Sequence, residues 1–242
     1  MSRRGHARRA SGTCNAFIHL VAAATMTWSS SLCGQRPVSI PAPDDGIVKA
    51  DEYGQGVHAV VLAHGGRFDK SSWMRQGQVL ADSGFRVVAI DFRAAARSRA
   101  GEQSDCLYDA VCLATDVLAA VRYLRATGAT TVSVVGASLG GGAAAQASID
   151  ADSGQIDRIV LLAHMLIAAP ERMRGRKLFI VSRDDVGSSD RPRLPGIRAQ
   201  YEKTAAPKEL IILDGSAHAQ FIFDTPQGVR LTHEILRFLK AH

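Results

Sequence analysis

Thr131-Val132-Ser133-Val134-Val135-Gly136-Ala137-Ser138-Leu139-Gly140-Gly141-Gly142-Ala143-Ala144-Ala145 is the stretch from which the fold can be read. A β-branched apolar run gives way to G-x-S-x-G and then to a run of alanines with high helix propensity. The chain must therefore pass from buried strand through a sharp turn into a helix within a few residues. Ser138 stands at the apex, where such a turn lifts its side chain clear of the backbone. Glycines at 136 and 140 suit a turn too tight for Cβ atoms beside the serine. Phosphate cradling is a poor fit, since no lysine follows as in a P-loop and the G-x-G-x-x-G spacing is missing.

Working outward, 242 residues with 46% apolar content suit one domain with a full core. The net charge of +6 points weakly toward nucleic acid until it is located. Five of the basic residues, Arg3, Arg4, Arg8, Arg9 and Arg36, precede any acid; the remaining 24 face 23 acids, and the body is nearly neutral. No nucleic-acid partner is expected.

The basic start leads into an apolar run, Ala16 to Trp28, followed by Ser29-Ser30-Ser31-Leu32-Cys33-Gly34. That order reads as an export signal, too short to span a bilayer, with a disordered leader and a cytoplasmic protein as the alternative. Cys33 is placed like a lipid-attachment cysteine, although bulky Leu32 departs from that pattern. The expected organisation is a leader over residues 1–36, a single domain over 37–242 and no integral membrane span in the mature chain. Cys106 and Cys112, six apart, could form a disulfide in an oxidising compartment or remain buried thiols.

Apolar runs at Val57 to Ala63, Phe85 to Phe92, Ile156 to Ala163, Lys177 to Ser182 and Glu209 to Leu213 read as strands, with Ile47 to Tyr53 and Val38 to Ile40 as an early hairpin. Helices are expected from Ser71-Ser72 through Leu80, from Tyr108 to Thr127, after Ser138, near Ile197 to Lys203, and from Gln227 to Leu239. Residues 93–105 read as a polar loop. Alternating strands and helices imply an α/β fold, a mostly parallel central sheet with helices on both faces. Sites in such sheets form beyond the carboxyl ends of the strands, where His64, Asp91, Ser138, His164, Asp184, Asp185 and His218 fall.

A serine hydroxyl needs a base within hydrogen-bond reach, and that base needs an acid. After Ser138 the chain supplies a strand ending in Asp184-Asp185 and another ending at Asp214-Gly215-Ser216-Ala217-His218. The elbow and this chain order resemble the α/β-hydrolase family, over roughly Val57 to Leu239. The resemblance implies Ser138 as nucleophile, His218 as base and Asp185 as acid, since Ser182-Arg183-Asp184-Asp185 fits the family's G-x-x-D frame with serine for glycine. His64-Gly65-Gly66 is similar to the family's HGG loop, so oxyanion-hole amides are expected from Leu139 and from Arg67 or Gly66, with Arg67 the better candidate. His64, Trp73, His164 and Met165 are candidate pocket residues, with structural readings beside them: His64 as a brace for its loop, Trp73 as aromatic core packing, and His164 with Met165 as ordinary core or loop residues. Asp91 is expected to cap a loop or pair with Arg93 or Arg97.

The short segment between His164 and Glu171 leaves no room for a lid domain. The resemblance is to compact members similar to dienelactone hydrolases, implying a serine esterase with an open cleft, favouring small or soluble esters and needing no cofactor. A thioesterase or acyltransferase with the same triad, or a non-catalytic binding protein keeping the fold, are the alternatives. No Cys/His/Asp cluster has metal-ligand spacing.

Overall fold

The computed structural model describes residues 1, 34–164, 166–187 and 190–241. The expected leader therefore lies almost wholly outside the described residues, as does Met165. Among the described residues eight strands form one sheet: β1 (Arg36–Pro41), β2 (Ile47–Tyr53), β3 (His58–Ala63), β4 (Arg86–Asp91), β5 (Thr131–Ala137), β6 (Arg158–Leu162), β7 (Arg176–Ser182) and β8 (Lys208–Leu213). Their spatial order is β1-β2-β4-β3-β5-β6-β7-β8. The β1–β2 and β2–β4 pairs are antiparallel; every pair from β4 to β8 is parallel. Pro37 and Pro41 sit on the edge strand β1, where a missing N–H is tolerated.

The chain moves outward from β3 to β4, then returns to the other side of β3 as β5. At that reversal the loops after β3 and β5 diverge and open a crevice at the strands' carboxyl ends. Strand β5 is buried on both faces from Val132 to Ala137, which is why its residues are continuously apolar or small rather than alternating.

Among the described residues six α-helices cover the sheet: α1 (Met74–Asp82), α2 (Arg93–Arg99), α3 (Ala110–Ala126), α4 (Leu139–Asp150), α5 (Arg193–Lys203) and α6 (Gly228–Lys240). One core, with α3, α4 and Ile197 of α5, packs Leu113, Val117, Val121 and Leu124 against Val61, Val134 and Phe179. The other, with α1 and α6, packs Leu80, Leu231, Ile235 and Phe238 against Val60, Leu62, Val135 and Ile180. Adjacent strand residues feed opposite cores because side chains alternate across a sheet. Helix α4 is buried along most of its length; its glycines and alanines let it lie close against α3 and the sheet. Among the described residues no lid domain interrupts the path from β6 to β7, where a 3-10 turn lies at Pro170–Arg172.

The structure differs from the sequence reading in four places. Residues 93–99 are helical, not loop, because Ala94 and Ala95 enter the core while the backbone N–H and side chain of Arg93 bind buried Asp116 at 2.9 and 2.6 Å. The 3-10 turn leading into α1 is capped by Asp69, which accepts from the N–H of Ser71 at 2.8 Å, rather than by Ser71-Ser72. Helix α3 starts at Ala110 because Asp109 caps it, accepting from Val111 N–H at 2.8 Å. A 3-10 helix at Ala219–Asp224 follows His218 and was not foreseen. Cys106 and Cys112 are joined in a disulfide, with Cα atoms 5.4 Å apart. No helix among the described residues is long and apolar enough to cross a membrane.

Candidate active site

Ser138 has φ 50° and ψ −110°, a conformation that costs a non-glycine residue about 1–3 kcal/mol. The surroundings impose it. Ser138 N–H donates to Leu162 O at 2.8 Å, tying the turn to β6, while Gly141 N–H donates to Ser138 O at 3.0 Å and starts α4. A Cβ on Gly136 would fall 2.2 Å from the carbonyl oxygen of Gly140, and one on Gly140 would fall 2.2 Å from that of Ala63. The two glycines of G-x-S-x-G are therefore required by close approach of backbone to backbone, within the turn and between the turn and β3.

Three remote segments meet at this apex. His218 Nε2 lies 2.8 Å from Ser138 Oγ, and His218 Nδ1 lies 2.7 Å from Asp185 Oδ2. A carboxylate accepts only, so the imidazole carries its proton on Nδ1 and presents a lone pair to the hydroxyl. Asp185 is 1% exposed, whereas Asp184 points to solvent. The second oxygen of Asp185 is buried and faces Nε of Arg193 at 3.4 Å, an ion pair without a hydrogen bond. The main chain reinforces that approach, since Arg193 N–H donates to Asp185 O at 2.9 Å. An imidazole oriented by a buried carboxylate can take a proton from a hydroxyl and return it to a leaving group.

The loop after β3 faces Ser138 across a cleft of about 730 Å³, whose wall includes Gly66, Arg67, Ser138, Leu139, His164, Arg193 and His218. Phe68 N–H donates to Gly65 O at 3.0 Å, closing a turn in which Gly66 and Arg67 are the central residues. Neither of their amides is used by the bond that closes the turn. Leu139 is the first residue of α4, so its amide is among those a helix leaves without an internal partner. These backbone donors border the space beside the serine.

The pocket residues expected from sequence divide. His164 lines the cleft and rests on α4, where a Cβ at Gly141 would fall 2.7 Å from its own Cβ and one at Gly142 would fall 2.8 Å from its ring. Desolvation pushes its pKa below the ordinary histidine value, against a hydrogen bond from Nε2 to Leu166 O at 2.8 Å. His64 is not a pocket residue. It is fully buried behind the loop, with Nδ1 2.8 Å from Gly65 O and Nε2 3.3 Å from both Phe92 N and Asp91 Oδ1. Trp73 is also elsewhere: the turn at Lys70–Trp73 carries it into the α1–α6 core, where its ring meets Phe223 edge-on at 5.9 Å. Asp91 pairs with Arg99 at 2.6 Å, not with Arg93 or Arg97.

Sequence reasoning missed Gln220. Its Oε1 accepts from Gly65 N–H at 2.7 Å and its Nε2 donates to Ser72 Oγ at 2.9 Å, so this buried amide fastens the loop after β3 to the segment that follows the histidine. Its position two residues after His218 is the only sequence cue. Arg193 was missed as well, because its distance from Asp185 closes only through the turn pairing Val186 with Pro192.

Comparison with known proteins agrees with this architecture. Similar solved structures include a dienelactone hydrolase from Anabaena variabilis (TM-score 0.69, 20% identity, 84% of this chain and 94% of that one). An esterase from Exiguobacterium antarcticum matches at TM-score 0.68, with 13% identity over 85% of this chain and all of that one. The Pyrococcus furiosus esterase Pf2001 matches at TM-score 0.68, with 18% identity over 85% and 92%. A search of curated proteins found no match. Because a sequence family described as having the alpha/beta hydrolase fold matches residues 58–182, just over half of the chain, this protein belongs to the α/β-hydrolase family.

Proposed function

We propose that the protein is a serine hydrolase of carboxylic esters. The observation that carries this reading is the continuous relay from Ser138 Oγ through His218 to buried Asp185, at 2.8 and 2.7 Å, with the serine on a strained turn. Ser138 attacks the ester carbonyl as His218 removes its proton. Charge developing on the carbonyl oxygen is met by the amides of Leu139 and of Arg67 or Gly66, already fixed by the start of α4 and by the turn. The imidazolium, stabilised by Asp185, then protonates the departing alcohol. Water enters the unlidded cleft and His218 activates it to release the acid, regenerating the hydroxyl.

The ends of α4 and β3 are held by core packing, so the donors need little reorganisation as charge forms. Stopped-flow hydrolysis of p-nitrophenyl acetate should show a burst of p-nitrophenol followed by a slower steady rate or, if acylation limits, linear release. In either case Ser138→Ala should lower turnover by about 10⁴-fold or more. Turnover retained within tenfold in Ser138→Ala would overturn the assignment. Thioester substrates run in parallel separate an esterase from a thioesterase using the same residues.

A further inference from the structure

Four of the large apolar side chains that stand exposed border the cleft containing Ser138: Tyr108 (78% exposed), Leu166 (75%), Val186 (46%) and Phe221 (45%). Single exposed apolar residues are ordinary; several around one concave site are not. They come from four separate segments, the loop before α3 and the chain following β6, β7 and His218, so no single amphipathic element accounts for them.

The backbone that carries each of them is also tied down. Tyr108 lies within the ring closed by the Cys106–Cys112 disulfide, directly before the Asp109 cap of α3. The carbonyl of Leu166 accepts the hydrogen bond from His164. Val186 forms an isolated β-bridge with Pro192. Phe221 N–H donates to His218 O at 3.0 Å, and its ring lies 5.1 Å from that of Phe68. Apolar groups on a backbone already ordered before a ligand arrives leave only side-chain ordering to be met when they are covered.

We propose that this rim selects the substrate: the protein acts on esters carrying an extended apolar arm, laid over Tyr108, Leu166, Val186 and Phe221 while the carbonyl sits at Ser138. This rests on the esterase reading above and replaces the expectation of small, soluble esters. The apolar arm belongs to the acyl group or to the alcohol, and two substrate series distinguish the sources.

The test measures kcat/KM, below micelle formation, for p-nitrophenyl esters from acetate to octanoate and for alkyl acetates from ethyl to octyl. Full burial of a methylene is worth about fourfold, and a rim covering one side of the chain about twofold. The six added methylenes should then raise kcat/KM roughly 50-fold in one series. Replacing Tyr108 and Leu166 together by serine should lower that long-to-short ratio about tenfold, with thermal melting confirming the fold. Flat or falling values in both series, with turnover still dependent on Ser138, would overturn the rim proposal and leave the esterase reading standing. An unchanged ratio in the double variant would also overturn it. No Ser138-dependent turnover of any ester would remove both.

Discussion

Two hollows among the described residues contrast in what they gather. The cleft at the carboxyl ends of the strands is bordered by a serine hydroxyl, the imidazole hydrogen-bonded to it and backbone amides, and three of its residues, Ser138, Ala163 and Ala219, hold positive φ without being glycine. The other hollow, about 430 Å³ between α1 and α6, is bordered by Leu62, Trp73, Val135, Phe223, His233 and Ile235, none with positive φ. It contains a histidine too, yet among the described residues no carboxylate is hydrogen-bonded to His233. Apolar depth alone therefore does not mark a reactive site; strained backbone and convergent polar groups do.

The sharpest way to break this contrast is to remove a histidine from each hollow. His218→Ala should lower kcat by about 10⁴- to 10⁶-fold, whereas His233→Ala should leave it within twofold, measured on one ester at saturation. Equal losses would erase the distinction. Next comes the acid: Asp185→Asn should cost about 10⁴-fold by leaving His218 in the wrong tautomer, and Asp184→Asn, altering an exposed side chain, should cost less than threefold. The reverse ranking would reassign the carboxylate.

Gln220→Leu removes the acceptor for Gly65 N–H and should lower kcat roughly tenfold by loosening the donor loop, with a smaller change in KM. The smallest effect belongs to the other hollow. Ile235→Val, in the core beneath α6, should reduce unfolding free energy by about 0.5–1.5 kcal/mol in urea titration and leave kcat unchanged. A loss of activity larger than the loss of stability explains would couple the two hollows.

What was legible in the sequence follows the range of the interactions. The elbow was readable because Gly136, Ser138 and Gly140 encode a local steric demand, visible wherever a strand must turn at once into a helix. Chain order and strand ends pointed to His218 and to the pair Asp184-Asp185; the preference for Asp185 rested on the resemblance of Ser182-Arg183-Asp184-Asp185 to the family's frame, and Asp185 is the one that meets His218. His64 and Trp73 stood between a pocket role and a structural one, and the structure gives the structural role to both; a short window does not record how a loop folds over its neighbours. Gln220 and Arg193 act across gaps that only the packed structure closes, Gln220 reaching a residue 155 positions away. The polar look of residues 93–99 concealed a helix because the deciding contact is with Asp116 on α3.

The central claim is that the hydroxyl of residue 138 is made reactive by its setting. Treating the folded protein with a fluorophosphonate and mapping the adduct by mass spectrometry tests it most directly. One stoichiometric phosphonyl group is expected on the peptide containing Ser138, lost in Ser138→Ala and greatly slowed in His218→Ala. No adduct, or one on another serine such as Ser71 or Ser72, would contradict it.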